Sequence, residues 1–196
     1  PSETIGEEMY ELLTMANQTT EDVFSLLDNL LKWTKSQIGK LKVVYQEFNM
    51  VEVVESVSEI FTMVAGLKNI KIVQDMPVVP VVVRADIDML KTVIRNLISN
   101  AIKFSNEGSE VLVSLTEEDG MAIVSVKDSG CGIDEENQKK LLHTDTHFST
   151  FGTNNEEGSG LGLLLCQDFI VKNGGKLWFT SKKGEGSTFS FSVPLL

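Results

Sequence analysis

The sequence predicts an α+β fold, a two-layer α/β sandwich with helices on one face of a mixed sheet, preceded by one long α-helix. The first segment, residues 7–38, has helical periodicity and contains no Gly or Pro. From about residue 41 onward, short strand patterns and helix patterns follow one another along the chain. Strands and helices in this order favour a sheet that is covered by helices on one face.

Length and composition fit one full domain with an additional segment. The chain has 196 residues, of which 42% are hydrophobic and 23% charged, close to the average of globular proteins. Its 17 basic and 28 acidic side chains give a net charge of −11, which disfavours binding to the phosphate backbone of nucleic acid. We therefore expect a folded protein that does not bind nucleic acid.

The cysteines and the lack of long apolar runs indicate in which cellular compartment the chain is expected. Cys131 and Cys166 show neither disulfide nor metal-ligand spacing, which fits a reducing, cytoplasmic environment. No apolar run approaches the roughly 18 residues that a membrane span needs. Because the chain begins with Pro1 rather than Met, we expect it to be part of a longer polypeptide. Any membrane attachment of that parent protein is then expected to come from other parts of it.

The long first helix has the pattern of a bundle or coiled-coil seam. Its core positions recur at alternating steps of four and three, and Gly39 then ends the helix. Further apolar side chains widen this stripe, so the helix is expected to pack against more than one neighbour. The seam positions are Met9, Leu13, Ala16, Thr20, Val23, Leu27 and Leu30.

The next part of the chain alternates between strand and helix patterns. Residues 41–48 predict a strand and residues 50–66 a helix. Residues 70–74 and 81–85 predict two short strands around a turn that is bounded by prolines. A second helix is predicted over about residues 86–104.

A strand pair, a polar loop, a helix and two closing strands complete the prediction. The strands over residues 110–117 and 121–127 are joined by a turn that contains Gly120. The polar residues 143–158 have no periodic pattern, and loops of this length are usually functional or mobile, so we interpret them as a lid. The last helix and the closing strands are predicted at residues 160–173, 176–181 and 187–194.

Polar side chains form a stripe beside the apolar face of the second predicted helix. At about 100° per residue, the apolar side chains between Leu90 and Phe104 fall on one face, which is expected in the core. Asn96, Asn100 and Lys103 fall on an adjoining stripe. Amide oxygens are ligands suited to Mg²⁺ and a lysine neutralises phosphates, so this stripe can hold a metal and phosphates. A solvated helix flank is the alternative interpretation.

Two glycine-containing segments provide further candidate binding groups. Asp128 ends a strand, and Gly130 and Gly132 permit a turn that closely approaches a flat ligand, where the carboxylate can accept from an adenine amino group. Residues 158–163, GSGLGL, form a turn that opens a helix, and the free N–H groups of a helix start suit phosphate. Taken alone, the Asp128 segment is better explained as an ordinary turn, and the glycines of residues 158–163 also serve turns and tight helix packing.

The order of these segments resembles the catalytic, ATP-binding domain of sensor histidine kinases. That domain belongs to a superfamily shared with type II topoisomerase, heat-shock chaperone and mismatch-repair ATPases. NLISNAIKFS resembles the N box of the family, DSGCGI its first glycine box, HFSTFG its phenylalanine box and GSGLGL its second glycine box. The ending GEGSTFSFSVP resembles its last strands, so the resemblance extends over residues 41–196.

The resemblance implies that the first glycine box binds the adenine of the cofactor ATP. Asp128 would bind the base, within the turn that contains Gly130 and Gly132. Thr188 would lie nearby and contact the base through a water. The lid would close over the nucleotide, anchored by Phe148 and Phe151.

The resemblance also implies a metal and phosphate site on the second predicted helix. Asn100 would hold the cofactor Mg²⁺, assisted by Asn96. Lys103 would contact the phosphates. The second glycine box would contribute further phosphate contacts through Gly158, Gly160, Leu161 and Gly162.

One position separates the branches of this superfamily. Members that hydrolyse ATP have a glutamate that activates water four residues before the metal-binding asparagine, whereas this chain has Asn96, and an amide is not a useful general base. Transfer of the γ-phosphoryl of Mg·ATP to another nucleophile is therefore favoured over hydrolysis. The resemblance implies that this nucleophile is a histidine outside this sequence, from which an aspartate of a response-regulator receiver domain receives the phosphoryl group.

Two other functions stay open at this point. The domain could bind ATP without catalysis and serve as a dimerisation or regulatory module, although every chemical position named above carries a competent residue type. It could also be a hydrolytic ATPase of the same superfamily. Transfer of phosphoryl to a histidine-bearing partner helix would separate the first alternative from a kinase, and steady phosphate release would indicate the second.

The first segment resembles a different part of the same kinases. Residues 1–40 resemble the second helix of the dimerisation and histidine-phosphotransfer hairpin, which precedes the catalytic domain at residues 41–196. In the family the phosphorylated histidine lies on the first hairpin helix and is followed by an acidic residue. Neither His143 nor His147 has an acidic residue after it, so we interpret both as lid residues. The parent protein is expected to form a homodimer through its hairpin helices, and an inner-membrane sensor is one form it could take.

Overall fold

The computed structural model describes residues 41–141, 152–153 and 160–196, together with six positions nearer the start of the chain. The chain forms two compact units, Pro1–Leu41 and Lys42–Leu196. Among the described residues, no helix is both long enough and apolar enough to cross a membrane. The six earlier positions are Met9, Leu27, Leu30, Leu31, Thr34 and Ile38.

The first unit is helical at each described position from Met9 to Thr34. The Thr34 hydroxyl donates a hydrogen bond to the Leu30 carbonyl at 2.6 Å, and the Ile38 N–H donates to the Thr34 carbonyl at 3.1 Å. The spacing of four residues is that of one α-helical turn. Of the predicted seam positions, Met9, Leu27 and Leu30 are described and the other four lie outside the described residues. The assignment of this segment to a dimerisation hairpin therefore stays a prediction.

The second unit contains the helices and strands that the periodicity predicts, with one short helix in addition. Its helices are α1 (Met50–Leu67), α2 (Ile87–Phe104), α3 (Glu135–Gln138) and α4 (Gly162–Lys172). Its strands are β1 (Gln46–Asn49), β2 (Lys71–Asp75), β3 (Val82–Ala85), β4 (Glu110–Glu118), β5 (Met121–Lys127), β6 (Leu177–Lys182) and β7 (Gly186–Pro194).

The strands form a mixed five-stranded sheet and a separate pair. The five-stranded sheet has the order β2-β4-β5-β7-β6, in which β2 and β4 are parallel and the other neighbours are antiparallel. Strands β1 and β3 pair with each other, antiparallel, in the smaller sheet. The two short strands predicted on either side of the proline-bounded turn therefore belong to different sheets.

The core lies between the five-stranded sheet and the helices. Along β4, the side chains of Val111, Val113 and Leu115 are buried, and their neighbours in sequence are less so, which is the alternation expected for a sheet covered on one face. Helix α2 packs on β4 and β5 and lies between α1 and α4, and α4 packs on β6 and β7. The predicted two-layer sandwich is confirmed.

The predicted strand at residues 41–48 is wrong in its first half. Strand β1 includes only Gln46–Asn49, because the preceding backbone is bonded to a side chain instead of to another strand. The Val44 N–H donates to Oδ2 of Asp86 at 2.8 Å, and Oδ1 of the same carboxylate caps the first turn of α2. The Asp86 N–H in turn donates to Oδ1 of Asn173, the residue that ends α4, at 2.7 Å.

Helix α3 is the element that the periodicity did not predict. Four residues are too few to show a helical pattern, but the sequence carries a local signal, since Asp134 is a good N-cap residue. The Asn137 N–H donates to the Asp134 carboxylate at 2.9 Å and lowers the pKa of that carboxyl. The helix places Gln138 against β6, where its amide donates to the carbonyl of Ser181 at 3.0 Å.

Candidate functional site

Helix α2 carries the polar stripe beside its buried face. Asn96, Asn100 and Lys103 are half-buried, next to fully buried Val93 and Leu97. The Asn96 amide N–H donates to the carbonyl of Thr92 at 3.0 Å, which directs its oxygen away from the helix backbone. The Asn100 side chain makes no hydrogen bond to the residues that the structure describes. Among the described residues, no donor occupies either amide oxygen, so both can bind a ligand.

Asp128 is a buried carboxylate at the end of β5, with 4% of its surface exposed. Its Oδ1 accepts hydrogen bonds from the N–H groups of Gly130, at 2.9 Å, and Ser187, at 3.2 Å. Within the described part of the chain, Oδ2 has no donor. Burial raises the pKa of Asp128, and the two backbone hydrogen bonds oppose this shift. The side chain is thus fixed by one oxygen and presents the other.

Gly130 brings the Asp128 loop onto the end of helix α2. A methyl group built on Gly130 would lie 1.9 Å from the carbonyl oxygen of Phe104, so no larger residue fits there. The Cys131 N–H donates to the same carbonyl at 3.2 Å. Because Phe104 directly follows Lys103, the loop and the polar stripe meet at the last turn of α2.

Gly132 brings the other side of the loop onto the turn between β6 and β7. Its φ of +60° is unfavourable for residues other than glycine, and an added methyl group would lie 2.0 Å from the Lys182 carbonyl oxygen. The Gly184 N–H donates to the Cys131 carbonyl at 2.7 Å. In this structure Gly132 therefore has a packing contact that fixes the loop.

The glycine turn, Gly160–Gly162, leads into helix α4 beside Asn96. Gly160 has a φ of +69°, and the first residue of α4, Gly162, lies so close to Asn96 that an added methyl group would be 2.7 Å from its Oδ1. Leu161 is buried and provides no side-chain cap to the helix. The first N–H groups of α4 therefore lie next to the amide stripe. Gly158, the lid residues Phe148 and Phe151, and both histidines lie outside the described residues.

Thr188 is the described candidate that the structure does not bring to the carboxylate. The Ser187 backbone N–H donates to the Asp128 carboxylate, and the Ser187 side chain lies on the same face of β7 as the buried side chains of Phe191 and Val193, because alternate residues of a strand share a face. Thr188 lies on the opposite face of β7, where its strand partners Lys127 and Thr180 are exposed. The sequence did not show which hydroxyl of this pair faces the site, because that depends on strand register.

Gly186 and Ser187 are site residues that sequence analysis missed. An added methyl group on Gly186 would lie 2.1 Å from the Asp128 carbonyl oxygen, and its φ is +98°. The Asp128 N–H also donates to the Ser187 carbonyl at 2.9 Å. The signal that could have identified them is a glycine directly before an alternating strand, since such a glycine often marks close approach of another backbone.

The assembled geometry suits a ligand with a flat base at one end and phosphates at the other. A buried acceptor lies at the end of α2, and amide oxygens, a lysine and the N–H groups of a helix start lie along its side. A carboxylate oxygen accepts from an exocyclic amino group, and amides with a helix start suit Mg²⁺ and phosphate oxygens. The three segments that the sequence singled out thus meet on one helix.

Comparison with known proteins agrees with this geometry. The family described as histidine kinase-, DNA gyrase B- and HSP90-like ATPase matches residues 85–196, which include α2, the Asp128 loop, the glycine turn and the closing strands. The adaptive-response sensory kinase SasA of Crocosphaera subtropica is 34% identical over 171 residues. That match covers 87% of this chain but 44% of the kinase, so the chain spans less than half the length of this relative.

Solved structures share the fold. The catalytic domain of histidine kinase ThkA superposes with a TM-score of 0.67 at 30% identity, over 77% of this chain and 95% of that domain. ThkA has also been solved in complex with the response regulator protein TrrA, and that ThkA chain gives a TM-score of 0.72 at 24% identity, over 92% of this chain and 49% of ThkA. Because the family match alone spans more than half of the residues, the chain belongs to the histidine kinase-, DNA gyrase B- and HSP90-like ATPases, as an ATP-binding domain of the histidine kinase type.

Proposed function

We propose that this domain binds Mg·ATP and transfers its γ-phosphoryl group to a histidine outside this sequence. The observation that carries the proposal is the meeting of three segments on helix α2, where Asn96 lies against the glycine turn and Phe104 lies against the Asp128 loop. One helix thus positions a base-binding carboxylate at its end and phosphate-binding groups along its side.

Asp128 is the proposed adenine-binding residue. Two backbone N–H groups hold Oδ1, so Oδ2 is fixed in place and accepts a hydrogen bond from the amino group of the base. A carboxylate that is already fixed loses little freedom when the nucleotide binds. The geometry favours Ser187 over Thr188 as the residue near the base, because Ser187 lies on the face of β7 that carries the buried side chains of Phe191 and Val193. Its backbone N–H already donates to the carboxylate, and its hydroxyl shares a hydrogen bond with the Ser181 hydroxyl.

Asn100, assisted by Asn96, is the proposed ligand of Mg²⁺, and Lys103 is proposed to contact the phosphates together with the Gly160–Gly162 turn. The residues fit the ion, since Mg²⁺ is usually held by few protein oxygens together with phosphate oxygens and water. When bound, Mg²⁺ would neutralise charge on the phosphate oxygens and hold them in line for transfer. The first N–H groups of α4 complement the same charge.

Asn96 favours phosphoryl transfer over hydrolysis. Its side chain is an amide, which is neutral and takes no proton from water. The N–H of this amide is bonded to the Thr92 carbonyl, which leaves the amide oxygen to face the phosphates. The γ-phosphoryl is then left for a better-placed nucleophile, and the domain contributes positioning and charge stabilisation. In the proposed sequence of steps, a ring nitrogen of a histidine on a hairpin helix attacks the γ-phosphorus, the bond to the bridging oxygen breaks and ADP leaves. An aspartate oxygen of a receiver domain later attacks the same phosphorus and releases the histidine.

The proposed partners follow from the same scheme. The kinase would act as a homodimer through hairpin helices, of which Pro1–Leu41 would be part, and a response regulator would receive the phosphoryl group. The relation to ThkA, which is solved with a response regulator, supports this proposal. The cytoplasmic location expected from the sequence belongs to the same proposal.

Transfer of labelled phosphate tests the function. The chain is incubated with γ-labelled ATP, Mg²⁺ and a separately produced hairpin helix that carries a histidine followed by an acidic residue. We expect label on the helix that is stable to base and labile to acid, and we expect Asn100→Ala to abolish it. Lys91→Ala, a change on the same helix outside the polar stripe, is the matched control.

The alternative functions give different results in the same experiment. Nucleotide binding by calorimetry without label on any supplied hairpin would support a binding module without catalysis. Steady release of phosphate that Asn100→Ala abolishes would support a hydrolytic ATPase. Either result would overturn the proposed kinase activity.

A further inference from the structure

Lys68 reaches from the end of helix α1 to the end of helix α2. It is the residue that ends α1, and its backbone N–H donates to the Ala65 carbonyl at 3.0 Å. The half-buried side chain extends to the last turn of α2, where Nζ donates to the carbonyls of Ile102, at 3.2 Å, and Lys103, at 3.1 Å. The Gly108 N–H donates to the Lys68 carbonyl at 3.3 Å, so the backbone of Lys68 is itself held.

Thr153 completes the same cluster. Its N–H donates to the Lys103 carbonyl at 3.1 Å, and its hydroxyl lies 3.1 Å from that carbonyl and 2.8 Å from the Ser105 carbonyl. The hydroxyl also accepts a hydrogen bond from Lys68 Nζ at 2.9 Å. The carbonyl of Lys103 is thus the point on which a lysine and a threonine from two distant segments converge.

The end of a helix needs such donors. The last carbonyls of an α-helix have no partner within it and carry the negative end of the helix dipole, so an ammonium group is favourable there. In this chain the carbonyls concerned belong to Lys103 and its neighbours, in the turn that follows Asn100. The contacts of Lys68 therefore fix the backbone of Lys103, in the helical turn that directly follows Asn100.

We propose that Lys68 is a positioning residue for the metal and phosphate end of the site, acting through the carbonyls of α2 and through Thr153. This inference rests on the proposed binding of Mg·ATP. The Asp128 loop touches the same turn of α2 at Phe104, but it has further contacts of its own, since Asp128 is also fixed by Gly186 and Ser187 on β7. Loss of the Lys68 contacts therefore weakens the binding of phosphates and metal and spares the binding of the base.

Calorimetric titration with two ligands tests the inference on the full chain. The affinity for Mg²⁺ with a non-hydrolysable ATP analogue depends on the whole site, whereas the affinity for adenosine depends on the base-binding end alone. We expect Lys68→Met to weaken binding of the magnesium-bound analogue about tenfold or more, which is the usual effect of losing an outer-shell partner. Adenosine affinity should equal that of the unmodified chain. Lys68→Arg, which keeps the donors and the charge, should restore most of the loss.

Thr153→Val and Lys71→Met separate positioning from charge. Thr153→Val keeps the Lys68 charge and removes the hydroxyl bonded to it, so we expect the same loss for the analogue and none for adenosine. Lys71→Met removes a nearby exposed charge that makes no side-chain hydrogen bond to a described residue, and it should change neither affinity.

Three results would overturn the inference. Unchanged affinities in Lys68→Met would show that the contacts do not matter, and equal losses for both ligands would show a merely structural role. A loss in Lys71→Met as large as that in Lys68→Met would show charge acting through space. If Lys68→Met does not fold, the same two titrations are carried out on Thr153→Val, and unchanged affinity for the magnesium-bound analogue in that variant would overturn the inference. Failure of the unmodified chain to bind the analogue would instead refute the proposed function itself.

Discussion

Gly162 lies against Asn96, since a methyl group on the glycine would be 2.7 Å from the Asn96 amide oxygen. Because Gly162 is the first residue of α4 and Asn96 lies midway along α2, helix α4 begins beside the middle of α2. The contact fixes the distance between the glycine turn and the amide stripe. A residue with a side chain at position 162 would displace the Asn96 amide, because the amide is the movable partner. Binding of phosphates should therefore respond to a single added methyl group.

Gly162→Ala is expected to weaken binding of Mg²⁺ with a non-hydrolysable ATP analogue about tenfold, which corresponds to about 1.4 kcal/mol. Adenosine affinity should not change, since the base end is separate. The measurement is calorimetric titration with both ligands. Gly66→Ala is the control, because a methyl group there meets nothing within 4 Å. Full affinity of Gly162→Ala for the analogue would remove the glycine turn from the phosphate site.

Asp128→Asn is expected to lose nucleotide affinity while keeping or gaining stability. The amide oxygen can still accept from Gly130 and Ser187, but the amide nitrogen would present a donor to the amino group of the base. Loss of a hydrogen bond to a charged group costs about 1.5–3 kcal/mol, or roughly ten- to a hundredfold in affinity. Titration with adenosine and thermal unfolding measure the two effects. Unchanged adenosine affinity would exclude Asp128 from the site.

The pH dependence of stability follows from the raised pKa of Asp128. Burial disfavours the ionised form in the folded state, so the contribution of this group to stability is fully present below the ordinary aspartate value of 3.8 and is lost as the pH rises through the raised folded pKa. Replacement by Asn removes this loss at neutral pH. Urea unfolding of Asp128→Asn and the unmodified chain between pH 4 and about 7 should show a stability difference in favour of Asn that grows with pH. A stability difference that does not change with pH would contradict the raised pKa of Asp128.

Gly186→Ala is expected to destabilise the fold more than Gly184→Ala does. Both glycines have a positive φ, of +98° and +81°, so both substitutions carry backbone strain of about 1–3 kcal/mol. Only Gly186 faces another backbone, where a methyl group would lie 2.1 Å from the Asp128 carbonyl oxygen, which adds about 1–3 kcal/mol. Urea unfolding measures both variants. An equal loss of unfolding free energy in the two variants would show that the close approach of position 186 to the Asp128 carbonyl adds nothing to the cost.

The two cysteines are expected to differ sharply in reactivity. Cys131 is exposed between Gly130 and Gly132, and Cys166 is fully buried in α4, where burial raises the pKa of its thiol. A disulfide reagent should therefore modify one thiol per folded chain, and the second only in denaturant. Mg·ATP should slow the first reaction, because the loop lies at the proposed adenine site. Rapid modification of two thiols in the folded chain would contradict the burial of Cys166.

Periodicity predicted the elements that carry the site because each has enough residues to show a pattern. The helix predicted at residues 86–104 and observed as α2 is the best example, since its buried face and its polar stripe both follow from spacing of about 100° per residue. The turn between β4 and β5 was equally clear, because Gly120 stands between two alternating strands. Residues 41–45 were misread as strand because their backbone partner is the Asp86 side chain, 42 residues away from Val44.

The contacts that assemble the site could not be predicted from sequence. The choice between Ser187 and Thr188 depends on which face of β7 meets the Asp128 loop, and a shift of one residue reverses it. The convergence of Lys68 and Thr153 on one carbonyl joins segments 85 residues apart, for which neither pattern nor spacing gives a signal. Local sequence therefore indicated the binding groups, and tertiary packing decided which of them meet.

The hydrogen bond between Asp86 and Asn173 has a consequence for the length of two helices. Helix α4 meets α2 at both of its ends, at Gly162 beside Asn96 and at Asn173 beside Asp86. At 1.5 Å per residue, the stretch of α2 between these contacts is roughly 15 Å long and that of α4 roughly 16 Å. The two stretches have nearly the same length, which lets both contacts form at once. Insertion of a single alanine into either stretch would therefore break one of the two contacts, and loss of the contact at Gly162 would move the start of α4 away from Asn96.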